Sequence, residues 1–231
     1  MSNEELKSLD DYERFISATI ESWSPKQRIT LAAAMAERWL PAYEAFSARE
    51  DWGNPAGLRL ALQAVWGHVL GRTLKDRRRH AADVGENTPH LDDFDAEEAI
   101  AACAIIEYAM DCCDAPENVS HAVMAMVSGF EAIAPGIYTF PEEIPPDVWQ
   151  LAEVRDELAK QLKVLEQIGA ITHFDEPRIE ALRHDLTARD LVGEAPPRPK
   201  PTTPPGLTNE ATFEQYGRML EVAQSSELNY R

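Results

Sequence analysis

The chain is short of several things, and each shortage narrows what it can be. Its three cysteines, Cys103, Cys112 and Cys113, are too few and too badly spaced for a disulfide framework or a zinc site. Eleven glycines in 231 residues leave little material for phosphate-cradling loops. No Gly-rich phosphate loop, nucleophile elbow or Ser-His-Asp context is visible. No apolar run approaches the ~18 residues of a membrane-spanning helix. The opening MSNEELKSLDDYERF is acidic and lacks the apolar segment of a signal peptide. These absences point to a globular protein of the reducing cytoplasm, with no cofactor and no membrane association.

Basic residues are the most telling shortage. Forty Asp+Glu stand against 22 Lys+Arg, a net charge of −18. From His80 to Glu153 there are 16 acids and no Lys or Arg. A generic solvated surface intersperses some positive charge, because like charges repel. The pattern argues against nucleic acid as a partner and for a basic protein. Just before it, Arg72, Lys75, Arg77, Arg78, Arg79 and His80 form a short basic cluster.

What the chain does have is apolar periodicity. At 44% apolar residues, it is long enough to bury a sizeable core. A leading helix is expected over about Glu4 to Ser22. Ser24-Pro25-Lys26-Gln27 reads as a capping box with Pro at the first helical position. Apolar residues follow at three- and four-residue steps until Trp52-Gly53. Asn54-Pro55 starts the next helix, with Leu58, Leu62, Val65 and Val69 on its buried side. Lys75 to Asp92 is polar, contains Gly85 and Pro89, and reads as a long loop with a turn of helix at most. Asp95 to Glu98 reads as a second capping box, and Asp114 to Glu117 as the cap of a further helix. Ile137 to Pro146 reads as loop. Helix resumes near Asp147, and a last one spans Asp175 to Leu191. With no convincing strand pair, the expected fold is an all-α bundle of about six to seven helices.

After Gly193 the composition shifts. EAPPRPKPTTPPG is a stiff, Pro-rich linker, and beyond it Phe213, Tyr216 and Leu220 recur at helical spacing. The expected organisation is a helical domain over 1–192, a linker over 193–208 and a docking helix and tail over 209–231. That helix is too short to stand alone in water, so it docks on its own bundle, on a second copy or on a partner.

Residues 37–46, ERWLPAYEAF, place Trp39, Tyr43 and Phe46 on a helix interrupted by Pro41. The aromatics share a stripe with Ala36 and Leu40 and read as core. Pro41 removes one amide donor, and a kink there would turn Glu37 and Arg38 toward solvent or a groove. AERWLPAYEAFS, followed by DWGNP, Leu62 to Trp66, DDFD at Asp92 to Asp95 and AIAAC at Ala99 to Cys103, resembles the YjaG-like family of uncharacterised bacterial helical proteins. The resemblance covers about residues 26 to 192 and implies an all-α fold, but no mechanism. The Pro-rich linker and terminal helix have no counterpart in it.

Few constellations suggest chemistry. Glu117 with His121 and Glu180 with His184 are spaced i, i+4, not the i, i+3 of bundle metal sites. Glu107, Asp111 and Asp114 share a face and read as solvated acids. His80, His90, Asp92 and Asp93 cluster in sequence without the setting of a metal phosphohydrolase, and Cys112-Cys113 reads as small apolar packing. The expectation is therefore a binding protein, an immunity- or antitoxin-type inhibitor of a basic toxin. Its contact residues would be Asp83, Glu86, Asp92, Asp93, Asp95, Glu97 and Glu98. The alternatives are an oligomeric scaffold assembled through the terminal helix, and a metal-dependent enzyme using Glu37, Glu107 and Asp111.

Overall fold

The computed structural model describes residues 6, 8–90, 94, 96–133 and 148–188. Among the described residues there are eight α-helices, one short 3-10 helix and no strand. The helices are α1 (Leu9–Ile20), α2 (Pro25–Glu50), α3 (Pro55–Val69), α4 (Arg77–Glu86), α5 (Glu97–Asp114), α6 (Val119–Glu131), α7 (Ala152–Gly169) and α8 (Glu176–Ala188), with the 3-10 turn at Val148–Gln150. The fold is the expected helical bundle. No helix among the described residues is long and apolar enough to cross a membrane.

α2 is the central post, packed by α3, α5, α6, α7 and α8. At 26 residues it is about 39 Å long. Every residue from Arg28 to Leu40 is buried, so this helix is covered on all sides and lacks a single apolar stripe. Alanines at 32, 33, 34 and 36 let neighbours approach closely, and α5 answers with Ala99, Ala102, Cys103 and Ala109, all buried. The capping box forms as read: Ser24 Oγ accepts from the Gln27 amide (3.3 Å) and Gln27 Oε1 from the Ser24 amide (3.0 Å). Asp51, left-handed at φ 51°, closes the C-terminal end. Asn54 Oδ1 then accepts from the Gly57 amide (3.1 Å) and opens α3. Trp39, Tyr43 and Phe46 are core, no more than 5% exposed.

Pro41 lies inside α2 without ending it. Nor does it open the helix: Glu37 is 4% and Arg38 2% exposed. Just beyond α2, Gly53 at φ +83° is a conformational necessity, because a Cβ there would run into the Tyr43 hydroxyl. That hydroxyl donates to the Asn87 carbonyl (2.9 Å) and so joins the end of α2 to the end of α4.

Several local readings are corrected. Lys75 to Asp92 is not a long loop, since ten of its residues form α4. Its polar composition is outweighed by fully buried Val84 and by C-terminal bonds, Asn87 Nδ2 to the Asp83 carbonyl (2.6 Å) and Thr88 Oγ1 to the Val84 carbonyl (3.0 Å). α5 follows Ala96 with no side-chain cap bond. Acidic Glu97 and Glu98 in its first turn suit the helix dipole instead. α6 is capped by Asn118, whose Oδ1 accepts from the Ser120 amide (3.1 Å), while Asp114 is held by Arg77. α1 begins at Leu9, after Ser8 whose Oγ accepts from the Asp11 amide (3.1 Å). The loop expected over Ile137 to Pro146, the linker over 193–208 and the helix over 209–231 lie outside the described residues.

Candidate functional site

Two groups of side chains stand out. The first is a buried polar network at the middle of α2. Arg38 donates through both terminal nitrogens to Glu157 on α7, at 3.1 and 2.8 Å. Gln161, one turn on, donates to Glu157 Oε1 (2.8 Å) and accepts from the Tyr12 hydroxyl of α1. None of these four residues is more than 5% exposed. Burial first, and then the charge of Glu157, push the Tyr12 hydroxyl well above its ordinary range. Here a paired charge satisfies its hydrogen bonds, as a buried ion must.

The neighbouring residue faces elsewhere. Glu37 Oε2 accepts from Trp66 Nε1 of α3 (2.7 Å) and from Arg183 Nε of α8 (3.0 Å). The Arg183 guanidinium also lies over the Trp66 ring, 5.5 Å from its centroid. Arg59 approaches Glu37 at 4.0 Å and is bonded to Glu44. Glu37 and Arg38 thus form two separate ion pairs that tie α2 to different neighbours, α8 and α7. Close by, Trp39 Nε1 is buried without a hydrogen-bond partner. It lies against Gly129, where a Cβ would come within 2.5 Å. Between α7 and α8 a narrow cleft over Arg38 is lined by Lys160, Lys163, Gln167 and Asp185.

The second group is the outer face of α5. Glu97, Ala104, Glu107, Asp111 and Asp114 fall on one side of the helix by its 100° repeat, and Glu107 and Asp114 are exposed. Arg77 of α4 reaches this row, with Nη2 2.5 Å from Asp111 and Nε 3.0 Å from Asp114. Glu107 is pushed up from the usual carboxylate range by burial and then by Asp111, with Arg77 opposing. Tyr108 is pushed up by burial and then by Glu131, Glu107 and Asp111. Glu131, the last residue of α6, is raised to about 7 by burial and by Glu13 of α1.

Of the residues singled out beforehand, Asp83 and Glu86 sit on α4 and Glu97 and Glu98 in the first turn of α5. Asp83 is 3.9 Å from Arg79, and Asp92, Asp93 and Asp95 lie outside the described residues. Glu37 is not brought to Glu107 and Asp111, since its oxygens are taken by Trp66 and Arg183. No group of three or more His, Cys, Asp or Glu among the described residues is arranged to hold a metal ion. Glu117 pairs with Arg28 (3.8 Å) and His121 with Asn118 (3.0 Å). All three cysteines are buried thiols. Burial first pushes Cys103 and Cys113 up to about 12, and Cys112 upward too.

A family model described as "Protein of unknown function (DUF416)" matches residues 16–192. The chain belongs to the DUF416 family. A DUF416 family protein from Shewanella baltica OS155, solved by crystallography, superposes with a TM-score of 0.65 at 21% identity, over 73% of this chain and 91% of that one. At that identity the likeness concerns the fold. No curated protein matches the chain. The DUF416 region contains both ion pairs of α2 and the whole acidic row of α5, whereas Tyr12 precedes it. Glu157 and Arg183 were missed because their partners lie 119 and 146 residues away in sequence. The α5 row carries a signal in the spacing of Glu107, Asp111 and Asp114, but spacing alone does not distinguish it from solvated acids.

Proposed function

We propose that this DUF416 protein is a non-enzymatic binding protein of the bacterial cytoplasm, an immunity- or antitoxin-type inhibitor that neutralises a basic toxin by direct contact. The YjaG-like kinship suggested by its motifs belongs to the same reading. The observation that carries it is the outer face of α5, where carboxylates recur on one side of a helix that contains no Lys or Arg. A toxin that cleaves nucleic acid needs a basic surface. A row of carboxylates at helical spacing can occupy that surface in place of phosphates and speed association by steering. To the contact residues expected from the sequence, Asp83, Glu86, Asp92, Asp93, Asp95, Glu97 and Glu98, this reading adds Glu107, Asp111 and Asp114 of α5.

The test is capture of the tagged protein from its host at low salt, followed by reconstitution with the purified basic partner. Association should slow steeply between 50 and 300 mM salt, on the order of ten-fold or more. The triple variant Glu107→Gln, Asp111→Asn, Asp114→Asn should associate more slowly with its fold intact. Binding indifferent to both salt and the triple variant would remove the reading.

A further inference from the structure

α4 is seated on the core through Ala81 and Val84, in its middle and C-terminal parts, while its first turn is held by side-chain ion pairs. Its C-terminal end holds Val84, the helix's buried residue, and receives the bonds of Asn87, Thr88 and Tyr43. Its first turn is Arg77-Arg78-Arg79 after Asp76, which is left-handed at φ 54° and makes no side-chain cap bond. Three cations at a helix N-terminus oppose the macrodipole, and a start without a side-chain cap leaves its amides to solvent. Both features weaken this end of the helix. Holding it down is Arg77, which bridges Asp111 and Asp114 on α5. Arg78 and Arg79 of the same turn are exposed.

We propose that the first turn of α4 is a displaceable clasp, in which Arg77 occupies the place on α5 that an arginine of a basic protein partner takes. The idea rests on the binding reading above, but the clasp itself has a readout that needs no partner. Displacement exchanges one arginine for another on the same two carboxylates. It frees α4 to hinge about Val84 and Asn87, and it leaves the post of the bundle untouched. The partner feature that fits is an exposed arginine with further cations beside it, because Glu107 lies one turn from Asp111 on the same face.

The experiment is amide hydrogen exchange on the full chain, wild type against Arg77→Ala, with Arg78→Ala as a control of equal charge change. Amides of His80 to Asp83, the first to be bonded within α4, should exchange about five-fold faster in Arg77→Ala and in wild type at 1 M salt. Those of Val84 to Thr88 and of α2 should keep their protection. A nona-arginine peptide at low salt should then bind Arg77→Ala about two- to five-fold more tightly than Arg78→Ala. First-turn exchange unchanged by Arg77→Ala would overturn the clasp. A loosened turn whose peptide affinity merely equals that of Arg78→Ala would overturn the competition. Wild-type protein and Arg77→Ala that both bind no peptide at low salt would overturn the competition together with the binding reading, and the exchange result would then decide the clasp by itself.

Discussion

Replacing Glu157 by Gln isolates the energetics of the buried network. The guanidinium of Arg38, 2% exposed, would keep its shape and neighbours and lose its counter-charge. Gln offers one acceptor oxygen where the carboxylate offers two, at 3.1 and 2.8 Å. Its amide would also confront Gln161 Nε2, which now donates to Glu157 Oε1. Removing one partner of a buried ion pair costs about 3–5 kcal/mol, because an uncompensated charge is left in a medium that solvates it poorly. For a domain of this size that is a fall in midpoint temperature of roughly 6–20 °C. Urea unfolding at 25 °C measures it, provided the slope with denaturant is unchanged. The double variant Arg38→Met, Glu157→Leu should recover most of the loss, since well-packed apolar residues often replace such a pair at little net expense. A loss below about 1 kcal/mol in the single variant, or a double variant as unstable as the sum of the two singles, would refute the reasoning.

Three other outcomes are expected. Glu131 has a folded-state value raised to about 7, so its favourable contribution is present below the unfolded value near 4.5 and is lost as pH rises through 7. Glu131→Gln should therefore gain stability over wild type between pH 5.5 and 8, by on the order of 1 kcal/mol once screening of a half-exposed group is allowed for. Parallel urea curves at the two pH values would contradict this. Gly53→Ala should destabilise by about 2–4 kcal/mol, from a strained left-handed residue and a displaced Tyr43. Tyr43→Phe, which deletes only the bond to Asn87, should lose about 1 kcal/mol. Equal losses in the two would show that the glycine's backbone is not the constraint.

Local signals were legible where the local chemistry decides the structure. Ser24 with Gln27, and Asn54 with Pro55, announce helix starts, and both starts occur. The all-α class followed from such signals and from apolar spacing. α4 was illegible because its helicity depends on distant partners: Val84 in the core and Tyr43 reaching Asn87 across 44 residues of sequence. The caps of α5 and α6 were misread for a related reason. Asp114 had the right chemistry for capping but was claimed by Arg77, and Asn118 performed the task. In the candidate site, Glu37 and Arg38 stood out as charges in an apolar helix, yet nothing nearby in sequence names Trp66, Glu157 or Arg183. The acidic row of α5 was visible as spacing, and its meaning depended on knowing which face of α5 the bundle covers.

The long sequence separation of the α2 ion pairs sets a timetable for synthesis. A ribosome adding 5–20 residues per second produces Arg183 roughly 7–30 s after Glu37, given the 146 residues between them. Throughout that interval the Glu37 carboxylate lacks Arg183, and for the first 119 residues of chain the Arg38 guanidinium lacks Glu157. α2 can dock on α3 and α5 as these emerge, but its charged middle cannot be closed until α7 and α8 arrive. The charged middle of α2 is therefore among the last parts of the bundle to be completed during synthesis, after the helices that pack around it first.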